Sequence, residues 1–277
     1  MPDRPLPETR RTTTDGLTVV GHVTSAAPSK VPPPHQDAPR SETAAPAAPA
    51  VVLVHGLGSS ARAYRHLVGP LSQDAEVHAV DLPGFGASPR PRRDVTVAAH
   101  AAALAAYLRQ HVGGRPRPVV VGHSMGAQVV GQLLADHPDA VGAGVLLGPT
   151  SDPRARTLPQ QALRLGLDAL GEAPGAVGNL LVDTLVRSGP PYYVAQLRHV
   201  VEHHLEQVLP RVEVPVVVVR GDRDPVAPSS WTALLAASAP RGISRTVRGR
   251  HHAMDQDPWG LAAVVREAAR LARQEVP

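Results

Sequence analysis

The sequence of 277 residues has no cysteine, a single lysine (Lys30), one phenylalanine and two tryptophans. The missing thiols exclude a cysteine nucleophile, Cys-ligated zinc and iron–sulfur clusters, and they give no sign of an oxidising compartment. A chain of this length buries roughly three quarters of its unfolded surface, so it needs no disulfide to hold a core. Aromatic residues make up 3% of the chain, so stacking on aromatic walls is not an obvious binding device. Long apolar runs are also missing. The longest is Ala101–Leu108, far short of the ~18 residues that cross a bilayer. No apolar stretch follows the basic residues of Met1–Glu8, so no signal peptide is expected. The charge excess is small, 28 basic against 24 acidic residues and a net +4, without a dense basic block. Neither nucleic acid nor a membrane is an expected partner, and the expected location is the cytoplasm. Oligomeric state is not legible.

Proline separates one region from the rest, with ten of 30 prolines in residues 1–49. Residues 1–11 are expected to be disordered. Thr12–Val23 carries β-branched residues around Asp15-Gly16 and reads as a hairpin. Ala26–Ala50 has no periodicity and is expected to be a flexible Pro/Ala-rich loop. From Val51 the pattern becomes an alternation of short strands, apolar except for the more polar last one, and helices. The strands are Val51–Val54, Val77–Val80, Val119–Val121, Val145–Leu147, Val216–Val219 and Ile243–Val247. The helices are Ala61–Leu71, Val97–His111, Met125–Asp136, Trp231–Ala237 and Leu261–Gln274. Continuous apolar strands alternating with helices predict an α/β fold, a mostly parallel, doubly wound sheet covered on both faces. Residues 152–209 break the alternation with helical spacing alone and are expected to form a helical lid. Residues 12–151 and 210–277 then make one core.

Chemistry enters at Gly122-His123-Ser124-Met125-Gly126, which follows a strand and opens a helix. A serine becomes a useful nucleophile when it projects from a sharp strand-to-helix turn toward a base. The flanking glycines are needed because their backbones nearly touch in that turn. The helix starting at Met125 offers free N–H groups where an oxyanion would form. A second glycine-rich turn, His55-Gly56-Leu57-Gly58, ends an earlier strand, and Leu57 N–H is the natural second donor.

With these residues in view the chain resembles the α/β-hydrolase fold superfamily. The matching pieces, in the family's order, are HGLGSS (His55–Ser60), DLPGFGAS (Asp81–Ser88), GHSMGA (Gly122–Ala127), RGDRDPVAP (Arg220–Pro228) and GRHHAM (Gly249–Met254). The resemblance covers residues 51–277, with Thr12–Val23 similar to the family's first hairpin. It implies a catalytic acid after the strand at Val214–Arg220, where Asp222 and Asp224 compete; the usual spacing from the glycine gives Asp224. It implies a histidine base after the last strand, where two neighbours compete. Counting forward from Gly249 gives His252, and counting back from Pro258 gives His251; the small Ala253 next in line favours His252. The implied triad is Ser124, Asp224 and His252, with His251 as the alternative base and Leu57 and Met125 as the oxyanion hole.

The expected activity is that of a serine hydrolase on a small-molecule ester, thioester, lactone or ketone-adjacent carbon–carbon bond, without cofactor or metal. The alternatives are acyl transfer, cofactor-free perhydrolysis or a non-catalytic binding module. Ser124 stands where dehalogenases and epoxide hydrolases of this fold carry aspartate. Two other patterns carry less. His199-Val-Val-Glu-His203 fits the reversed zinc-protease motif, but no third ligand identifies itself. Gly56-Leu-Gly-Ser-Ser-Ala61 fits a loose dinucleotide fingerprint, in which the serine, acid and histidine elements have no place. Tyr192, Tyr193 and the leucines of Leu163–Leu170 and Leu180–Leu185 are candidates to line an acyl pocket under the lid.

Overall fold

A computed structural model describes residues 7–27, 50–113, 116–169 and 189–274. The expectations for most of the Pro/Ala-rich loop, for residues 170–188 of the lid and for Leu180–Leu185 lie outside the described residues. Eight strands form one sheet. They are β1 (Glu8–Thr14), β2 (Leu17–Thr24), β3 (Val51–Val54), β4 (Val77–Asp81), β5 (Val119–His123), β6 (Ala143–Leu147), β7 (Val216–Gly221) and β8 (Gly242–Val247). Their spatial order is β1-β2-β4-β3-β5-β6-β7-β8. The β1–β2 and β2–β4 pairs are antiparallel, and every pair from β4 to β8 is parallel.

The parallel strands are apolar on both faces because helices cover both. Val52 and Val54 of β3, Val120 of β5 and Val218 of β7 point to one layer with Leu104, Val129, Leu133 and Trp231. Val51, Leu53, Val121 and Val217 point to the other, with Tyr64, Leu71, Leu261 and Val265. Each such fully buried valine or leucine contributes roughly 1.5–3 kcal/mol of transfer free energy.

The helices are α1 (Val68–Leu71), α2 (Val97–His111), α3 (Met125–Asp136), α4 (Leu158–Ala169), α5 (Pro190–Glu202), α6 (Leu205–Val208), α7 (Ser229–Ser238), α8 (Ala253–Gln256) and α9 (Pro258–Arg273). Their ends follow local chemistry. Thr96 Oγ1 accepts from Ala99 N–H at the start of α2, and Asp257 Oδ1 accepts from Gly260 N–H at the start of α9, which has Pro258 in its first turn. One expected helix is broken. Ala61–Leu71 is a 3-10 turn, Ala61–Tyr64, followed by the single turn α1. Pro70 has no N–H for the carbonyl of His66, so a continuous helix loses a bond there.

The N-terminal boundary also moves. Residues 8–11 belong to β1 rather than to a disordered tail: Glu8 pairs with Val23 and Arg11 with Val20. Their polar run, Glu-Thr-Arg-Arg, does not read as a strand because β1 is a solvated edge whose order comes from β2. Arg10 fastens it further, through Glu8 Oε1 at 3.1 Å and the His111 carbonyl at 3.3 Å.

Between β6 and β7 the described residues are helical and contain no strand. Two polar ties seat α5 on the core. Ser151 Oγ and Gln128 Nε2 both donate to the Val200 carbonyl, at 2.7 and 2.9 Å. Among the described residues, no helix is long and apolar enough to cross a membrane.

Candidate active site

Ser124 sits between β5 and α3 with φ +57° and ψ −117°, a backbone conformation that costs a residue with a Cβ of order 1–3 kcal/mol. Its N–H is held by the Leu147 carbonyl at 2.9 Å, and its own carbonyl accepts from Ala127 N–H at 3.0 Å. The flanking glycines make the turn possible. A Cβ on Gly122 would lie 2.7 Å from Ala127 N and closer still to the Gly126 carbonyl; one on Gly126 would overlap the Val54 carbonyl. Ser124 is therefore fixed at the carboxyl edge of the central strands.

The turn after β3 lies against it. A Cβ on Gly56 would be 3.0 Å from Ser124 Cβ, so only glycine lets the two loops meet. His55 orders this turn. Its Nε2 accepts from Leu82 N–H at 3.1 Å, which puts the ring proton on Nδ1, where it donates to the Gly56 carbonyl at 2.8 Å. Because the Gly56–Leu57 peptide is planar and trans, holding its carbonyl toward His55 turns the Leu57 N–H to the opposite side. Among the described residues, neither Leu57 N nor Met125 N, the first of α3, has a backbone acceptor.

Asp224 follows β7, 3% exposed, and accepts from Val226 N–H at 2.7 Å and Ala227 N–H at 3.1 Å through Oδ1. Its Oδ2 meets Nδ1 of His251 at 3.0 Å. Burial by itself would raise this carboxyl; His251 and the two amides outweigh it and hold Asp224 below the ordinary carboxylate range. Asp222 is exposed and accepts from Gly249 N–H at 2.8 Å, so it braces the histidine loop from outside.

The pairing expected of His252 is made by His251. Gly249 turns the chain with φ +127°, and His252 becomes the residue that caps the short α8, 18% exposed, with Nδ1 3.9 Å from Asp168. The counts from Gly249 and from Pro258 differ by one residue, so only one of the two could hold. The count back from Pro258 does, because the start of α9 is anchored by Asp257, which also accepts from Arg248 N–H at 3.2 Å.

Two buried groups escaped the sequence. His123, beside Ser124, donates from Nε2 to the His251 carbonyl at 3.0 Å, and its ring lies 4.7 Å from that of His251. Burial, then the neighbouring His251 and His252, push His123 well below the usual histidine range, so it is a neutral strut. Asp168 of α4, 2% exposed, accepts from His251 N–H at 3.2 Å. In sequence Asp168 reads as one half of an i,i+4 surface pair with Arg164 on an amphipathic helix; each partners a different part of the core instead.

The remaining candidates are dispersed. His199 bonds the Asp94 carboxylate at 2.8 Å and His203 bonds Gln132 Oε1 at 3.1 Å, so the two histidines of the zinc-like motif face different partners. Tyr192 donates to the Pro83 carbonyl at 2.8 Å with its ring 5.4 Å from Phe85, so it pins α5 to the loop after β4. Leu163 is exposed.

An eight-stranded, mostly parallel sheet with the serine turn after β5, the acid after β7 and the histidine after β8 defines the α/β-hydrolase fold. The model of the family described as alpha/beta hydrolase fold matches residues 49–165. The chain is 28% identical over 244 residues to the magnesium-chelatase 30 kDa subunit of Rhodobacter capsulatus, covering 78% of this chain and 85% of that protein. It is 28% identical over 204 residues to a pimeloyl-[acyl-carrier protein] methyl ester esterase of Neisseria meningitidis serogroup B, covering 64% of this chain and 76% of that one. The enol-lactonase of Burkholderia xenovorans LB400 superposes with a TM-score of 0.73 at 18% identity, over 94% of this chain and all of that one. The chain has the α/β-hydrolase fold, and the part of it matched by that family's model, residues 49–165, carries the Ser124 turn.

Proposed function

We propose that the protein is a serine hydrolase of small acyl compounds, with Ser124 as nucleophile, His251 as base and Asp224 as the acid that orients it. The observation that carries this reading is the buried Asp224–His251 bond of 3.0 Å, formed beside a serine held in a strained turn. Asp224 accepts the Nδ1 proton of His251, which leaves Nε2 as the base and favours the imidazolium that forms when Ser124 loses its proton. Ser124 attacks the acyl carbon, and the N–H groups of Leu57 and Met125 receive the developing oxyanion, a contribution of roughly 3–4 kcal/mol for a donor of this kind. His251 then protonates the leaving group, and water releases the acyl group by the same route in reverse. The helical segment between β6 and β7 covers the carboxyl edge of the sheet in this reading, with Tyr192 as its anchor rather than a freely moving pocket wall. The substrate is an ester, thioester or lactone; the same triad also serves a carbon–carbon bond beside a ketone.

The similarity to a magnesium-chelatase subunit supports a second reading, a binding module that keeps the fold without turnover. A fluorophosphonate probe separates the two, because it labels an activated serine only. Labelling of wild type at Ser124, absent in Ser124→Ala and accompanied by turnover in a panel of p-nitrophenyl esters of varied chain length, is the expected result. Folded wild-type protein that takes no label overturns the hydrolase reading. Hydroxylamine added to turning-over enzyme traps acyl transfer if water is not the preferred acceptor.

A further inference from the structure

Helix α4 touches both loops that hold the triad's acid and base. Asp168 Oδ1 accepts from the backbone N–H of His251 at 3.2 Å, and the carboxylate lies 3.4 Å from Arg250 Nε and 3.9 Å from His252 Nδ1. One turn earlier on the same face, Arg164 donates to Asp152 Oδ2 at 3.3 Å and to the Val226 carbonyl at 3.4 Å. Val226 is the residue whose N–H binds Asp224 at 2.7 Å. Residues four apart share one helix face, so this is a single polar face aimed at two catalytic loops. Burying a carboxylate is costly unless it is paired and hydrogen-bonded. A 2% exposed carboxylate on a helix outside the sheet therefore anchors the helix strongly where its partners are.

We infer that Asp168 is a positioning residue for the catalytic histidine, through which the seating of α4 sets the geometry of His251. The inference rests on the assignment of Ser124, Asp224 and His251 as the triad. Among the described residues, three elements grip His251. Asp224 after β7 holds the ring, His123 at the end of β5 holds the carbonyl, and Asp168 of α4 holds the N–H. A histidine backbone fixed on both sides of its Cα gives the ring one direction, and general-base catalysis depends on that direction to within a fraction of an ångström. Among the described residues, the charged and titratable groups facing His251 are Asp224, Asp168, Arg250, His123 and His252. Of these, Asp168 is the second carboxylate, and its charge favours the protonated form of the histidine.

The test compares Asp168→Asn, Asp168→Glu and Asp168→Ala with wild type, with Ser124→Ala as the blank. The readouts are kcat and KM against pH, fluorophosphonate labelling rate and thermal melting. Asn keeps an oxygen for the His251 N–H but drops the charge. It should retain kcat within about five-fold, while the acid limb of kcat/KM moves to lower pH by about half a unit or more, since a carboxylate that stabilised the imidazolium is gone. Freeing the Arg250 charge acts in the same direction. Ala removes the acceptor as well: kcat and labelling rate should fall together by at least about ten-fold, with KM within about three-fold, and Glu should recover part of the loss. Folded Ala and Asn variants that label and turn over like wild type, with an unmoved acid limb, overturn the positioning role alone. Losses that track melting and vanish at a lower assay temperature overturn it too, because they report a structural role. An unlabelled wild type overturns the triad assignment, and this inference with it.

Discussion

Replacing each of the two adjacent histidines by alanine gives the sharpest test of the site. His251→Ala removes the partner of Asp224 Oδ2, but Oδ1 keeps its bonds to the N–H groups of Val226 and Ala227. The acid loop should therefore survive. The lost bond is charge-assisted and costs about 2 kcal/mol of stability, which for a chain of this size lowers Tm by roughly 4–8 °C. Catalysis should suffer far more. Deleting the base of a serine triad removes at least ~10³-fold from kcat, or about 4 kcal/mol of transition-state stabilisation. His252→Ala is a different case. That ring is partly exposed and lies 3.9 Å from the Asp168 carboxylate rather than on Asp224, a separation at which an ion pair contributes little. Its kcat should stay within about ten-fold of wild type. Initial rates on a p-nitrophenyl ester, with melting curves to confirm folding at the assay temperature, decide the matter. A folded His252→Ala variant that loses as much activity as His251→Ala, or more, refutes the reasoning from the Asp224 pairing.

Three further outcomes are expected. Ser124→Ala should lose at least ~10³-fold in kcat and all probe labelling, while Ser124→Gly, equally inactive, should melt higher than the alanine variant because glycine relieves the φ +57° backbone; equal or lower melting speaks against strain at the turn. Asp224→Asn should cost orders of magnitude in kcat by admitting the wrong imidazole tautomer, whereas Asp222→Asn, altering an exposed carboxylate that braces Gly249, should cost little; a larger loss at Asp222 reverses the assignment. Stability should fall as pH drops from about 6.5 to about 4. His100 is buried, donates to Gln196 Oε1 at 2.8 Å, and is pushed by burial down to about 4. Between those values the unfolded chain binds the extra proton, so stability is full above 6.5 and is lost progressively below it, by about 3 kcal/mol for this group at the lower end. Urea melts at pH 7 and 5 should show the drop, and His100→Gln should reduce it; an unchanged pH slope in that variant removes His100 as the cause.

The local rules of the chain were enough to determine the sheet and the serine turn. β3, β5 and β7 are runs of β-branched residues too short for helices and apolar throughout, which only a strand covered on both faces accommodates. Ser124 was legible because Gly122 is demanded by a contact within five residues of it, although Gly126 is demanded by the Val54 carbonyl of the neighbouring strand. The family resemblance also located the histidine loop, yet it favoured His252, whereas His251 is the residue that pairs with Asp224. That choice is made by how Asp257 anchors the start of α9 and by where β7 presents Asp224, two constraints that meet only when the sheet is assembled. The edge strand β1 was hidden for a similar reason: its polar residues are ordered by a partner, and their own pattern carries no signal. Asp168 and His123 lie furthest from sequence reasoning. Each looks like an ordinary helix or turn residue until tertiary packing brings α4 and the end of β5 against the backbone of His251. Hydrogen bonds between segments more than eighty residues apart leave no periodicity behind, so the folded structure alone decides which buried polar groups grip His251.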